Sequence, residues 1–373
     1  MSNIKRIAIV IAVIALIAVV AASFKGSDVL DRSIILGVGI DKGEGGLKIT
    51  AEIVSPGNGQ EQVGTFSKTV TVEARTVGEG IQNIAEKTGK EASLGQCVML
   101  VLGQELYQTQ DFSAVIDYFI NHHSFKESAV ICCCAGAAED LFNNSDALSQ
   151  SVSLSVAAML LDEAKKIGVT TNSLLQFARS QTELDKTGFL NKITFVTSEN
   201  KDAQDPDKTQ GFFTYRELAV FRQNTFVCEL DENEVKGLSL FLKDTEGDDF
   251  VSDANGLKLT VQVNNKDIKQ DLKGNEVDVS ITLSVRLART DSEEVSGVFT
   301  AKKDKEIDQK VLDDVREQAT ALAEKYLAKQ AEYNFDLLKF HEMARQKNGS
   351  SEELAAKPTA DFQVTLKIEV KEN

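Results

Sequence analysis

Three cysteines stand side by side in this chain, Cys132, Cys133 and Cys134, within the stretch AVICCCAGAAEDLF at residues 129–142. Adjacent thiols can exchange electrons, hold a soft metal, or fill a strand as small apolar groups. The flanking residues read as a buried strand, in which side chains alternate between two faces. Cys132 and Cys134 then point one way and Cys133 the other, so the three sulfurs do not converge on one tetrahedral ion. A disulfide between neighbours is strained, and no base stands nearby in sequence to activate a thiolate. These facts favour packing. Pairing of one member with Cys97 on an adjacent strand stays open as the alternative.

Other stretches invite chemistry and are weighed in the same way. HEMAR at His341 opens like the zinc helix H-E-x-x-H, but its fifth residue is Arg345. One imidazole without a partner at i+4 does not build that site. His122 and His123 fall at an expected helix end, where they interact with exposed carbonyls rather than a metal. The glycines of GVGIDKGEGG, residues 37–46, lead into a strand and not a helix, so they read as a hairpin turn and not a phosphate loop. The acidic pairs Asp313-Asp314 and Glu352-Glu353 belong to solvent faces. There is no G-x-S-x-G, Walker loop or EF-hand pattern. The sequence therefore assigns no catalytic, cofactor-binding or metal-ligating residue and no cofactor. It implies a binding or assembly protein rather than an enzyme, and an envelope hydrolase would require a cleft gathering carboxylates that the sequence does not group.

The chain has 373 residues, 42% of them hydrophobic and 26% charged, enough for two or three domains with real cores. A net charge of −16 argues against broad affinity for nucleic acid. Lys5 and Arg6 precede residues 7–24, eighteen positions without a charge. At 1.5 Å per residue such a helix reaches about 27 Å, close to the hydrocarbon thickness of a bilayer. The flanking positive charge places the remainder on the extracytoplasmic side. A cleaved signal peptide and an uncleaved signal anchor both account for the stretch, and its length favours the anchor, a transmembrane helix through residues 7–24. Five cysteines, an odd number without framework spacing, argue against a disulfide scaffold.

The elements that position these residues follow from periodicity. RSIILGVGID, LKITAEIV and FSKTVTVEA read as strands, followed by a helix capped by Thr76 and Glu79 and closed at Gly89. CVMLVLG and AVICCCAGA are continuous apolar runs, expected of strands buried on both faces. Between them lies a helix capped by Asp111, with Val115, Ile116, Phe119 and Ile120 on its core side. Helices at residues 151–168 and near Leu174 follow, then the strand KITFVT. The polar stretch 198–211 reads as a linker. Beyond it come a hairpin turning at Gln223-Asn224 and a helix starting at Asp231. The last third has long alternating strands, with Val277, Val279, Ile281, Leu283, Val285 and Leu287 on one side. A long helix carries Leu312, Val315, Ala319, Leu322 and Tyr326 as its apolar stripe, and FQVTLKIEV closes the chain as a strand. The expected fold is multidomain α+β, with mixed β-sheets flanked by helices and a C-terminal antiparallel sheet crossed by one long helix. Its expected divisions are 1–25 for the anchor or signal segment, 26–200 for an N-terminal α+β domain, 210–250 for a small middle domain and 255–373 for a C-terminal α+β domain.

The order of these segments resembles the Ger(x)C family, the C subunits of bacterial spore germinant receptors. LDRSIILGVGID looks like the family's opening strand, carried by Asp31, Arg32, Ile35, Gly37, Gly39, Ile40 and Asp41. ITAEIVSPG is similar to the next strand, with Pro56 in the matching place. TVGEGIQNIAEKTGKEASLGQCVMLVLGQEL and DFSAVIDYFINHHSFKESAVICCCAGAAEDLF resemble its two helix-then-strand segments. ELAVFRQNTFVCELDENEVKGLSLF is similar to its later hairpin and helix, and YNFDLLKF, with Asp336 and Phe340, to a helix end. The resemblance implies a non-enzymatic extracytoplasmic subunit on the spore inner membrane, partnered by membrane-embedded A-type and B-type subunits, with no catalytic residue to carry over. The chain departs from the family in lacking the lipobox cysteine, so residues 7–24 would have to anchor it. An extracytoplasmic binding or envelope-assembly module of the same fold, with a different partner, is the alternative.

Overall fold

A computed structural model describes residues 32–55, 66–143, 151–167, 169, 171–197, 211–243, 249–254, 257–287, 309–348 and 358–372. The first strand, β1 (Arg32–Lys42), is buried along nearly its whole length and forms the middle of a large sheet. It pairs antiparallel with β2 (Leu47–Ser55), which pairs with β3 (Phe66–Ala74). On its other edge β1 pairs parallel with β4 (Glu91–Ser93) and then β5 (Met99–Leu102). Parallel pairing continues through β6 (Val130–Cys134) to β7 (Thr187–Thr197). Strands buried on both faces by crossover helices have to be apolar throughout. MLVL and VICCC meet that demand, and every residue of both is buried.

Helices cover both faces. One apolar layer packs under α1 (Val77–Thr88), α2 (Gln104–Thr109), α3 (Ser113–Asn121) and α6 (Leu174–Ser180). The other packs under α4 (Ala138–Asn143) and α5 (Val152–Ile167). Thr76 caps α1 as expected and Gly89 ends it at φ 67°. The Glu79 carboxylate reaches back to the N–H of Arg75, one residue earlier than a full capping box requires. The cap expected at Asp111 also shifts, since Phe112 is the capping position and Asp111 accepts from the N–H of Ser113.

The stretch 198–211, which reads as a linker, joins strands that pair. β8 (Gly211–Arg222) lies antiparallel to β7, and β9 (Thr225–Leu230) forms the edge beyond it. The β8–β9 hairpin turns where expected, with Gln223 and Asn224 at φ 51° and 58°, the left-handed pair that matches strand twist. The expected middle segment thus completes the first sheet and adds α7 (Glu232–Ser239).

A second sheet runs β10 (Phe250–Ala254), β11 (Leu257–Lys273), β12 (Glu276–Leu287), β13 (Gln363–Glu372). The long helix α8 (Gln309–Tyr333) and α9 (Phe340–Asn348) pack against it. Val277, Val279, Ile281, Leu283 and Val285 are all buried, as their alternation requires. The last strand pairs parallel with β12, because α8 carries the chain back before β13 begins. On α8 the buried stripe is Val311, Val315, Ala319, Ala323 and Tyr326, so Leu312 and Leu322 sit at its margin. One continuous core joins β8, β9, α7, the second sheet, α8 and α9.

The expected transmembrane helix and signal anchor need correction. Among the described residues no helix is long and apolar enough to cross a membrane. The longest, α8, is charged on all but its packed side. Residues 7–24, on which that expectation rested, lie outside the described residues.

Two buried carboxylates hold the helices of one face to the first sheet. Asp41 on β1 accepts from the N–H groups of Ala138 (2.7 Å) and Glu139 (3.0 Å), the first residues of α4. Glu52 on β2 accepts from Val152 (2.9 Å) and Ser153 (2.8 Å), the first residues of α5, and from the Ser153 hydroxyl. Helix N-termini present N–H groups without partners and a positive dipole end, so a carboxylate there is both bonded and neutralised. Removing Glu52 strands two backbone donors and a hydroxyl. At about 1–3 kcal/mol for each buried unsatisfied group, Glu52→Ala should lose about 3 kcal/mol or more in urea denaturation. Glu79→Ala, on the exposed first turn of α1, should shift the midpoint far less. Equal losses would remove the anchoring role from Glu52.

Candidate functional site

The cysteine triplet lies where alternation puts it. Cys133 faces the core beneath α1–α3 and α6, and Cys132 and Cys134 face the core beneath α4 and α5. Cys97, Cys132, Cys133, Cys134 and Cys228 are all free and all buried, so the alternative pairing with Cys97 is not formed. Each sulfur of the triplet lies 3.6–3.8 Å from a backbone carbonyl on a neighbouring strand, Leu100 for Cys132, Asn191 for Cys133 and Leu102 for Cys134. Burial pushes Cys97, Cys132 and Cys228 up to about 12 and holds Cys133 and Cys134 well above the ordinary thiol value.

The glycines of GVGID are not all in the turn. Gly37 and Gly39 lie within β1, and a Cβ at Gly37 would stand 2.0 Å from the Ser153 Oγ. At Gly39 it would stand 2.8 Å from both Ala138 and the Phe142 ring. They clear the floor on which α4 and α5 rest.

Lys192 on β7 was not singled out by any sequence pattern. Its ammonium meets Glu229 at 2.6 Å and Glu217 at 3.1 Å with its side chain almost covered. The hydroxyl of Tyr107 and the amide of Gln108 also donate to Glu229, at 3.1 and 3.2 Å. Burial works against the Lys192 charge, but the two carboxylates outweigh it and raise its pKa. This group ties α2 to the far strands of the sheet.

A cleft of about 470 Å³ opens between α7, β10 and α8, lined by Lys236, Lys325, Asp249, Phe250, Gln318 and Leu322 among others. Its two lysines are already paired, Lys325 with Asp231 at 2.6 Å and Lys236 with Glu232 at 3.0 Å. Both carboxyls are held below the usual carboxylate range, as the paired lysines outweigh their partial burial.

A cluster of titratable side chains joins two distant parts of the chain. The turn after α6 brings Glu183 and Asp185, the turn between α8 and α9 brings Asp336 and Lys339, and the first turn of α9 brings His341. Lys339 pairs with Glu183 at 2.9 Å. His341 Nδ1 lies 2.7 Å from Asp336 Oδ2 and 2.9 Å from Asp185 Oδ1. Asp336 Oδ2 also accepts from the His341 backbone N–H at 2.9 Å, in the first turn of α9. The ring of Phe362 stands edge-on to the imidazole at 5.2 Å. Lys186, Asn334 and Lys339, in or beside these turns, take positive φ values of 49°, 52° and 59°. Burial pushes the Asp185 carboxyl up, with the nearby His341 imidazole opposing. His341 had been set aside for lacking a histidine four residues on; its partners are carboxylates, one of them from a remote turn. His122 and His123 do not join it. They stack on each other at 4.9 Å beside the end of α3, and His122 is lowered by burial and by the charge of its neighbour.

Residues 26–195 match the family described as Spore germination protein N-terminal domain, and residues 216–373 match Spore germination B3/GerAC like, C-terminal. A solved structure titled "Crystal Structure of the GerBC protein" is similar in fold, with a TM-score of 0.52 and 14% identity. The alignment covers 90% of this chain and 96% of that one. Among curated proteins no relative matches the chain.

Burial holds all five thiols above the ordinary thiol value and so disfavours the reactive thiolate near pH 8. Native protein should therefore leave Ellman's reagent uncoloured, and all five cysteines should react once it is unfolded in guanidinium. A thiol that reacts rapidly in the native protein would restore a redox role to that strand.

Proposed function

The chain belongs to the GerAC-like spore germination family, and on that premise we propose that it is a non-enzymatic, extracytoplasmic subunit of a nutrient germinant receptor. What carries the reading is the match of both family domains in order, over residues 26–195 and 216–373. The described residues support it chemically. The thiols are free and packed in the interior, the lysines of the cleft are neutralised by their own neighbours, and the buried carboxylates Asp41 and Glu52 are used to hold helices. Groups engaged in this way build a rigid body. They do not offer a nucleophile or a base to a substrate.

The finer reading places this body at the spore inner membrane beside membrane-embedded A-type and B-type subunits. An acidic body of net charge −16 does not favour the anionic lipid surface itself, so specific protein contacts are the interaction that would hold it there. Deleting the gene in a spore former should slow or abolish germination on at least one nutrient, while germination by a non-nutrient trigger continues. A tagged chain should co-purify A-type and B-type subunits from spore membranes. Unchanged nutrient germination together with no co-purified subunit would end the receptor assignment.

A further inference from the structure

We propose that Asp185, Asp336 and His341 bind one divalent transition ion of the zinc class, which fastens the first sheet's α6–β7 turn to the α8–α9 turn of the C-terminal part. The three donor atoms lie within 4.8 Å of one another, and each comes from a covered side chain. Asp336 is 1% exposed, His341 7% and Asp185 10%.

The decisive observation is a mismatch between one ring nitrogen and two oxygens. Nδ1 has a single in-plane position for a proton or a lone pair. A proton there serves Asp336 Oδ2, and Asp185 Oδ1, 2.9 Å from the same nitrogen, is then buried without a hydrogen-bond partner among the described residues. Asp336 Oδ1 is likewise buried without one among them. Buried carboxylate oxygens are rarely left this way, since each costs about 1–3 kcal/mol or more. A cation in place of the proton bonds to the nitrogen and to both carboxylates together. Two carboxylates and a neutral imidazole also balance a charge of +2. Lys339, between the C-terminal donors in sequence, is paired with Glu183 and does not supply that charge.

The donor set selects the ion. One imidazole nitrogen with two carboxylate oxygens suits zinc and its neighbours in the transition series, whereas calcium calls for six to eight oxygens. Zinc bonds of about 2.0–2.2 Å separate tetrahedral donors by about 3.3–3.6 Å, so the 2.7 and 2.9 Å contacts would open by about half an ångström or a little more, within a cluster whose donors all lie inside 4.8 Å. The support expected around a metal ligand is also present. The backbone N–H of His341 fixes Asp336, and the edge of Phe362 fixes the imidazole plane. Three protein donors leave a fourth position for water.

The test uses the full chain, freed of any polyhistidine tag and dialysed against a chelator. Given excess zinc and then desalted, it should hold about one ion per chain, and its melting temperature should rise above that of the metal-free form. Cobalt in place of zinc should give visible d–d bands without the near-ultraviolet band of a thiolate ligand. Asp185→Asn should weaken zinc binding by about 100-fold or more, and Glu183→Gln, which breaks only the neighbouring ion pair, should leave it intact. Retention of no zinc with no thermal shift would overturn the proposal and leave a proton shared in the cluster. A thiolate band, or undiminished binding by Asp185→Asn, would overturn it in favour of other ligands. If Asp185→Asn fails to fold, the stoichiometry and cobalt spectrum of the unmodified chain still decide.

Discussion

Asp41 and Glu52, on adjacent strands in the middle of the first sheet, decide where two helices begin. A carboxylate taken out of water carries a penalty of several kcal/mol unless its lone pairs are filled. Here they are filled by the N-terminal N–H groups of α4 and α5, which need acceptors of their own. Each partner makes the other's burial tolerable, so neither helix can slide along the sheet without exposing both. Burial pushes Asp41 up, and its two backbone hydrogen bonds offset that only in part. The rest of that face follows from this requirement. For the helix ends to reach the carboxylates, α4 and α5 must lie close to the strands, which is why β1 carries Gly37 and Gly39 beneath Ser153, Ala138 and Phe142. The residues of β6 on that side must also be small and apolar, and Cys132 and Cys134 are both. The cysteines that first suggest redox chemistry are thus explained by the space that two buried carboxylates leave.

The two sheets are likewise bound by close approach rather than by a bridge of charged groups alone. The core beneath the second sheet includes Leu218, Val220, Cys228 and Leu230 from β8 and β9, so the edge of the first sheet is one wall of the second core. Gly237 on α7 lets that helix settle against α8. A Cβ there would stand 2.2 Å from the Leu322 carbonyl oxygen. At the far side of the same junction the turns carrying Asp185 and His341 meet. The apolar wall and this polar contact are thus two separate places where the first sheet's elements meet the C-terminal part.

How much of this was legible in the sequence depended on the range of the interaction. Alternation in residues 277–287 revealed a half-buried strand, and continuous apolar runs revealed the doubly covered β5 and β6, because both patterns are local. The hairpin at Gln223-Asn224 and the caps at Thr76 and Asp231 were legible for the same reason. The stripe of α8 was read one position off, since Ala323 gives a weaker apolar signal than the flanking Leu322 although the helix face is set by Val315, Ala319 and Tyr326. Contacts across the chain left no local trace. Nothing near Asp41 or Glu52 announces that the N–H groups of residues about a hundred positions away will meet them. His341 was judged against a motif whose second ligand lies one helical turn on, whereas its partners are fixed by turns that only the tertiary fold brings together.

This difference of range also separates the evidence for fold from the evidence for role. A fold shared at low sequence identity is sustained by patterns that many apolar residues satisfy: which face is buried, which strands pair in parallel, where a helix must stop. Such patterns place the chain in its family without saying which of its polar groups act. The polar groups are more particular, because exchanging one leaves its partner unpaired in the interior. Lys192 with Glu217 and Glu229, Asp41 and Glu52 with their helices, and Lys325 with Asp231 each account for the charges they bring. The Asp185–Asp336–His341 cluster is different in kind. It sets two carboxylates on one ring nitrogen, and Asp185 Oδ1 and Asp336 Oδ1 are buried there without a hydrogen-bond partner among the described residues.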